Sequence, residues 1–173
     1  MTRGFAGLVM MALVACSTPE PEQAAPPPAH PQQALDALDA RTPLPLLPVM
    51  ALHQKQNMQE HLVAVHEVVG ALARGDHAAA AAAAKRLGTS EEMTRQCNHM
   101  GAGAPGFTER ALAFHRTADT VVEAANAGDT KATLAALDRT LATCTSCHAT
   151  WRQQVVDEAT FARLGTTPPH HGP

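Results

Sequence analysis

Tyrosine is absent from this sequence, tryptophan occurs once and phenylalanine four times, so aromatic residues make up only 3% of the chain. The usual bulky core fillers are therefore scarce. Long β-branched runs are missing too, while alanine is abundant, which argues against a large sheet and for an all-helical chain. A core of Ala, Leu and Val without aromatic volume leaves room for a large apolar cofactor. There is no excess of basic residues, with 13 Lys and Arg against 16 Asp and Glu, so the electrostatic footprint of a nucleic-acid binder is lacking. The N-terminal apolar run "GFAGLVMMALVA" is too short to cross a bilayer.

That run follows Arg3 and has the shape of a secretory leader. Its ending, "LVAC" (Leu13 to Cys16), resembles the lipobox of bacterial lipoproteins, in which small residues precede a cysteine that takes a diacylglyceryl group. The expectation is a lipoprotein signal peptide over 1–15 and lipidation at Cys16; the plainer alternative is an ordinary signal peptide that contains a cysteine. From 16 to 48 the chain is rich in Pro, Gln and Ala. Such a stretch buries little apolar surface and favours extended conformations, so it reads as a tether. Loss of Arg3 with the leader makes the remainder one charge more negative.

From residue 49 helical periodicity takes over. Met58, Leu62, Val65, Val69 and Leu72 recur at steps of three and four and predict a helix over about 49–74. In "ARGDHAA", Gly75 suits a helix C-cap and Asp76 the next N-cap. A second helix starts at about 77 with an alanine run. It breaks at "LGTSEE", where Thr89 and Glu92 have capping-box spacing for a restart to about Met100. "GAGAPGF" (101–107), with three glycines and a proline, is a loop. A third helix over about 108–127 carries Leu112, His115, Ala118, Val122 and Ala125. "NAGDTKA" repeats the Gly-Asp break, and Asp129 caps a fourth helix over about 130–163. Its stripe of Leu134, Leu137, Leu141, Cys144, His148, Trp151 and Val155 predicts a buried seam. Two tight hairpins joined by a longer loop predict an antiparallel up-down-up-down four-helix bundle over 49–163, with a disordered tail over 164–173.

In that fourth helix stands Cys144-Thr145-Ser146-Cys147-His148. A zinc site needs two further ligands, usually a second close pair. Cys97 and His99 lack that spacing. A redox dithiol needs the motif at a helix start within a βαβ unit. Here it lies deep in a helix without strands around it. Haem attachment needs two thiols on one helical surface and an adjacent imidazole, as this motif provides.

"CTSCHATWR", late in the chain and on the last helix of a bundle, resembles the attachment site of class II c-type cytochromes, the cytochrome c-prime type. An aromatic residue three after the histidine and an arginine four after it are typical there. Trp151 and Arg152 match, with Trp in place of the more usual Tyr or Phe. The resemblance covers about residues 50–160. It implies one covalent haem c, with Cys144 and Cys147 as thioether cysteines and His148 as the proximal iron ligand. Arg152 would lie beside the haem edge or proximal face; its plainer role is a solvated surface charge.

The same resemblance assigns the distal position to the first helix, near residues 58–60. Met58 there implies a six-coordinate electron carrier. His61 is the bis-histidine alternative, and an aliphatic roof implies a five-coordinate cytochrome open to NO or CO. The expected function is thus one-electron transfer by a lipid-anchored periplasmic monohaem cytochrome, not an enzyme. Its partners are redox proteins of the periplasm or inner membrane and the membrane itself, and class II relatives often form homodimers through their first helices. The alternative is a gas-binding cytochrome. His53 and His66 read as solvated and His115 as a satisfied core histidine. Cys97, His99 and Met100 are soft ligands suited to copper(I), with a plain buried thiol as the simpler account.

Overall fold

The computed structural model describes residues 31–165. The leader, Cys16, the tether as far as residue 30 and the tail from 166 lie outside the described residues. The chain divides into two units, Met1–Asp39 and Ala40–Pro173. In the first, α1 (Pro31–Leu38) is a two-turn helix in which Gln32 Nε2 donates to Asp36 Oδ1 at 3.0 Å, and Leu35 and Leu38 are exposed.

The second unit runs β1 (Thr42–Leu46), α2 (Pro48–Ala73), α3 (His77–Ala84), a 3-10 turn (Lys85–Leu87), α4 (Glu91–Met100), α5 (Phe107–Asn126), α6 (Thr130–Thr150), β2 (Trp151–Val155) and α7 (Glu158–Gly165). It is mostly helical, as expected, with a small parallel two-stranded sheet that was not expected.

Both hairpin turns form as the sequence predicts, and by one device. After α2, Gly75 adopts φ +71°, its N–H bonds Leu72 O and the Asp76 N–H bonds Ala71 O. After α5, Gly128 adopts φ +72°, with Gly128 N–H to Ala125 O and Asp129 N–H to Ala124 O. These are Schellman turns, which need the left-handed backbone that glycine reaches without a Cβ penalty. The aspartate that closes each turn opens the next helix: Asp76 Oδ1 accepts from Ala79 N–H, and Asp129 Oδ1 from Ala132 N–H, both at 2.9 Å.

The α4 cap differs from expectation. Ser90, not Thr89, accepts from Met93 N–H. Thr89 instead ties the loop to α5, donating through its N–H and hydroxyl to Asp119 at 3.1 and 2.8 Å.

Packing follows the row α2–α3–α5–α6. At the hairpin end all four meet in a cluster of Val68, Ala71, Leu72, Ala80, Ala84, Val121, Ala125, Ala136 and Leu137. Alanine dominates because small side chains let helices approach closely. α2 and α6, at the two ends of the row, pack chiefly on α3 and α5 respectively. They are joined at the far end by the sheet, in which Thr42 pairs with Trp151 and Leu46 with Val155.

That pairing overturns two boundaries. The fourth helix does not reach 163: it stops at Thr150, where Trp151 turns extended (φ −118°, ψ 148°). Nor is 16–48 all tether, since Leu44 and Leu46 are 2% and 0% exposed and lie with Met50, Phe107 and Trp151 in a second core. Burial of these two leucines outweighs the helical continuation of 151–155, and a strand without a neighbour on its outer side tolerates Pro43 and Pro45. The loop "GAGAPGF" closes over the same core. A Cβ on Gly103 would stand 2.7 Å from Pro45 Cγ, so close approach requires glycine there.

Candidate functional site

The motif occupies the last turns of α6. Cys144 and Cys147 are free thiols, each half-buried. Burial pushes both thiols above the ordinary cysteine value; at Cys147 the nearby Arg110 guanidinium works against that rise. Both are therefore neutral thiols at pH 7. Cys144 Sγ also lies 3.5 Å from Thr140 O, one turn back.

The stripe expected to be buried is so only in part: Leu137 and Trp151 are buried and Cys144 half-buried, but Leu134, Leu141, His148 and Val155 are exposed. The face of α6 that packs inward is Thr133, Ala136, Leu137 and Thr140, continued by Cys144 and Cys147. Leu134 (47% exposed), Leu141 (39%) and His148 lie beside it and face outward. His148 is thus not in a buried seam. α2 is offset in the same way: its packed residues include Met50, Gln54, Ala64, Val68 and Ala71, while Met58 (41%), Leu62 (68%) and Val69 (48%) are exposed. The physical reason is shared. In these helices alanines and threonines share the contact face with Val68, Leu72 and Leu137, and several other large aliphatic residues flank it.

Val65 of α2 and Cys144 of α6 both lie against the small cluster Ala64, Leu87, Phe114 and Ala118. Val65 is the shoulder between the α2 core and the Met58–Leu62–Val69 stripe, and Cys144 stands next to Leu141 and His148 on α6. α2 and α6 thus share one set of neighbours at Val65 and Cys144.

His61 sits one turn beyond Met58 but turned inward. It is half-buried, with its ring 4.9 Å from Phe114 and 5.7 Å from His115. Burial, reinforced by His115, brings its pKa down from 6.5 to about 4. His115 is the core histidine the sequence suggested: 3% exposed, with Nδ1 2.7 Å from Leu87 O, so that nitrogen carries the proton. Its pKa is lowered by burial too, despite the Leu87 carbonyl and Asp119.

A stability effect follows. The unfolded chain takes up these protons as pH falls below about 6.5, whereas the folded chain resists until about 4 at His61. Stability fully present above pH 6.5 should thus drain away between 6.5 and 4. Urea midpoints measured from pH 7.5 to 4.5 should fall, and less steeply in His61→Gln; parallel curves would refute the assignment.

Arg152 is not one turn beyond His148 on a continuing helix. It stands half-buried on β2, level with Pro43. His53 is exposed, within hydrogen-bond distance of Gln96 Oε1 (3.1 Å) and Asn57 Nδ2 (3.2 Å), and His66 is exposed. The copper trio separates: Cys97 and Met100 are buried, with the Cys97 thiol pushed up by burial, while His99 is exposed and stacks edge-on to Phe161. Among the described residues no group of three or more His, Cys, Asp or Glu could hold a metal ion, and no helix is long and apolar enough to cross a membrane.

Several residues around the motif carried no sequence signal. Arg41 Nη1 donates to His148 O at 3.0 Å. Arg110 donates to Ser146 Oγ and places its guanidinium 5.6 Å from the Trp151 ring centre. Gln153 Nε2 donates to Gln54 Oε1. Gln54 did leave a trace, as a polar residue four after Met50. No protein-family model, curated protein or solved structure matches the chain.

Proposed function

We propose that the chain is a class II c-type cytochrome, an antiparallel four-helix bundle of α2, α3 with α4, α5 and α6 that carries one haem c. It would work as a one-electron carrier, exported through its leader, held to a membrane in the periplasm by lipid on Cys16, and serving redox partner proteins. The observation that supports the reading is the end of α6: two half-buried free thiols three residues apart, with an exposed imidazole next in sequence.

The donor set fits the group. Cys144 and Cys147, three apart on a helix, place both sulfurs toward one side, as two thioether bonds require. His148, next in sequence and exposed, would supply the imidazole nitrogen. Leu134 and Leu141 on α6 and Leu62, Val65 and Val69 on α2 offer the apolar surround that a porphyrin face needs. Met58, an exposed thioether on α2, would be the candidate for a second iron-binding group. Bound there, a haem c supplies a one-electron Fe(III)/Fe(II) couple. The chain's own part is to hold the axial donors, exclude water with the aliphatic walls and set the nearby charge.

His61 is the less suited distal donor, because its ring is already engaged with Phe114 and His115. An optical spectrum of the exported, purified protein tests the assignment. The expected result is a low-spin reduced spectrum that CO leaves unchanged, becoming high-spin and CO-reactive in Met58→Ala. A wild-type spectrum that CO shifts would instead make this a gas-binding cytochrome with an open distal side. An unchanged low-spin spectrum in Met58→Ala would move the ligand to His61.

A further inference from the structure

Gln54 is the polar side chain buried on the packed face of α2, 6% exposed. Its Oε1 accepts from Gln153 Nε2 at 2.5 Å, and the same nitrogen lies 3.3 Å from Ala51 O. Gln153 belongs to β2, five residues after His148. A buried amide seldom stands where an aliphatic would pack unless its hydrogen bond is specific, because an unmatched donor or acceptor there is costly. This contact does not lie in the general core. It joins the first half of α2 to the chain immediately following the motif.

Two further ties act at the same end. β1 pairs with β2 and runs through Leu47 straight into α2, and Arg41 donates to the carbonyl of His148 itself. Beyond this end α2 packs mainly along α3, and it meets α6 in the hairpin-end cluster rather than beside the motif. A helix is stiff over a single turn, and residues i and i+4 stand one above the other. Met58 is four residues after Gln54. A rotation or slide of α2 at Gln54 is therefore carried directly to Met58.

We infer that Gln54 and Gln153 are positioning residues: their bond sets the register of α2 against the motif and so decides how closely the distal wall approaches the iron. The inference rests on the haem reading above. Its chemistry is distinct from ligation, since neither glutamine touches the motif's donors. A loss of the bond leaves Cys144, Cys147 and His148 untouched and alters only α2.

The test uses the full-length exported holoprotein. Gln153→Leu and Gln54→Leu are compared with wild type and with Gln56→Leu, an exposed residue of the same helix. Covalent haem is scored by haem stain after denaturing electrophoresis, spin state by the visible spectrum, and distal access by CO titration. Both bond-breaking variants should keep full covalent haem, gain a high-spin fraction and bind CO at least severalfold more tightly than wild type, while Gln56→Leu matches wild type. CO affinity is the deciding readout, and the gained high-spin fraction is expected where the wild-type iron is six-coordinate. If Gln153→Leu does not accumulate, Gln153→Asn, which keeps the amide but shortens its reach, takes its place with the same expectation.

Wild-type spectra and CO affinity in the variants, whatever their melting temperatures, would overturn the inference and leave the haem reading standing. Equal change in Gln56→Leu would overturn it as well. Absence of covalent haem from the wild type would instead remove the reading on which it rests.

Discussion

Cys144→Ser combined with Cys147→Ser should yield a chain with no covalent haem and no haem-stainable band. Serine preserves the size and much of the local hydrogen bonding of each thiol but cannot form a thioether. The fold of α6 should survive, because its inward face is carried by Thr133, Ala136, Leu137 and Thr140 rather than by the cysteines. Far-ultraviolet circular dichroism should therefore match that of the haem-free wild-type chain. Each single variant should retain one bond. The site's asymmetry predicts which attachment suffers more. Cys144 lies against the cluster of Ala64, Leu87, Phe114 and Ala118, while Cys147 lies against the core of the sheet end and near Arg110. Loss of Cys144 should release the porphyrin edge nearer the first of these clusters and loosen the low-spin spectrum further. Haem that stays covalently bound in the double variant would end the cytochrome proposal.

Trp151→Ala should be the most damaging single truncation for stability, at about 3–5 kcal/mol. Trp151 is 9% exposed and sits in the cluster with Leu44, Leu46, Met50 and Met100. It meets the Phe107 ring edge-on, with centroids 5.7 Å apart at 89°. Its replacement would leave a large void at the junction of α6, β1, α2 and the glycine loop. Urea unfolding followed by circular dichroism should show a lower midpoint at an unchanged slope. Trp151→Phe should recover most of the loss. A cost below about 1 kcal/mol, ordinary for a surface position, would mean that β1 and β2 do not clamp the end of α6.

Much of the helical skeleton was legible in the sequence because its punctuation is chemical. Gly75-Asp76 and Gly128-Asp129 combine the residue that tolerates left-handed backbone with the residue that caps a helix, so the ends of α2 and α5 and the starts of α3 and α6 fall within a residue of expectation. The faces were harder to read. A search for large aliphatic residues at steps of three and four picks out Met58, Leu62 and Val69, yet alanines and threonines nearby carry many of the contacts. In a chain this rich in alanine, size is a poor guide to burial.

The sheet was illegible for a different reason. "TPLPL" looks like tether by its prolines, and "WRQQV" continues the helical spacing of His148. Neither is a strand by itself. Each becomes one by pairing with the other, and that information is nonlocal. The motif was the most legible feature of all, since its cysteine-histidine spacing is specific whatever the faces do.

The clamp at the end of α6 also bears on the order in which the molecule assembles. Arg41 and His148 are separated by 107 residues, whereas the helical hairpins close across three-residue turns. Local hairpins form early, and contacts between distant parts of a chain must first overcome the entropy of closing a long loop. The α5–α6 hairpin can thus present the cysteines as a structured helix while the N-terminal strand is still unpaired. Closure of β1 onto β2, which depends on that distant pairing, is then expected to come after the helical hairpins have formed.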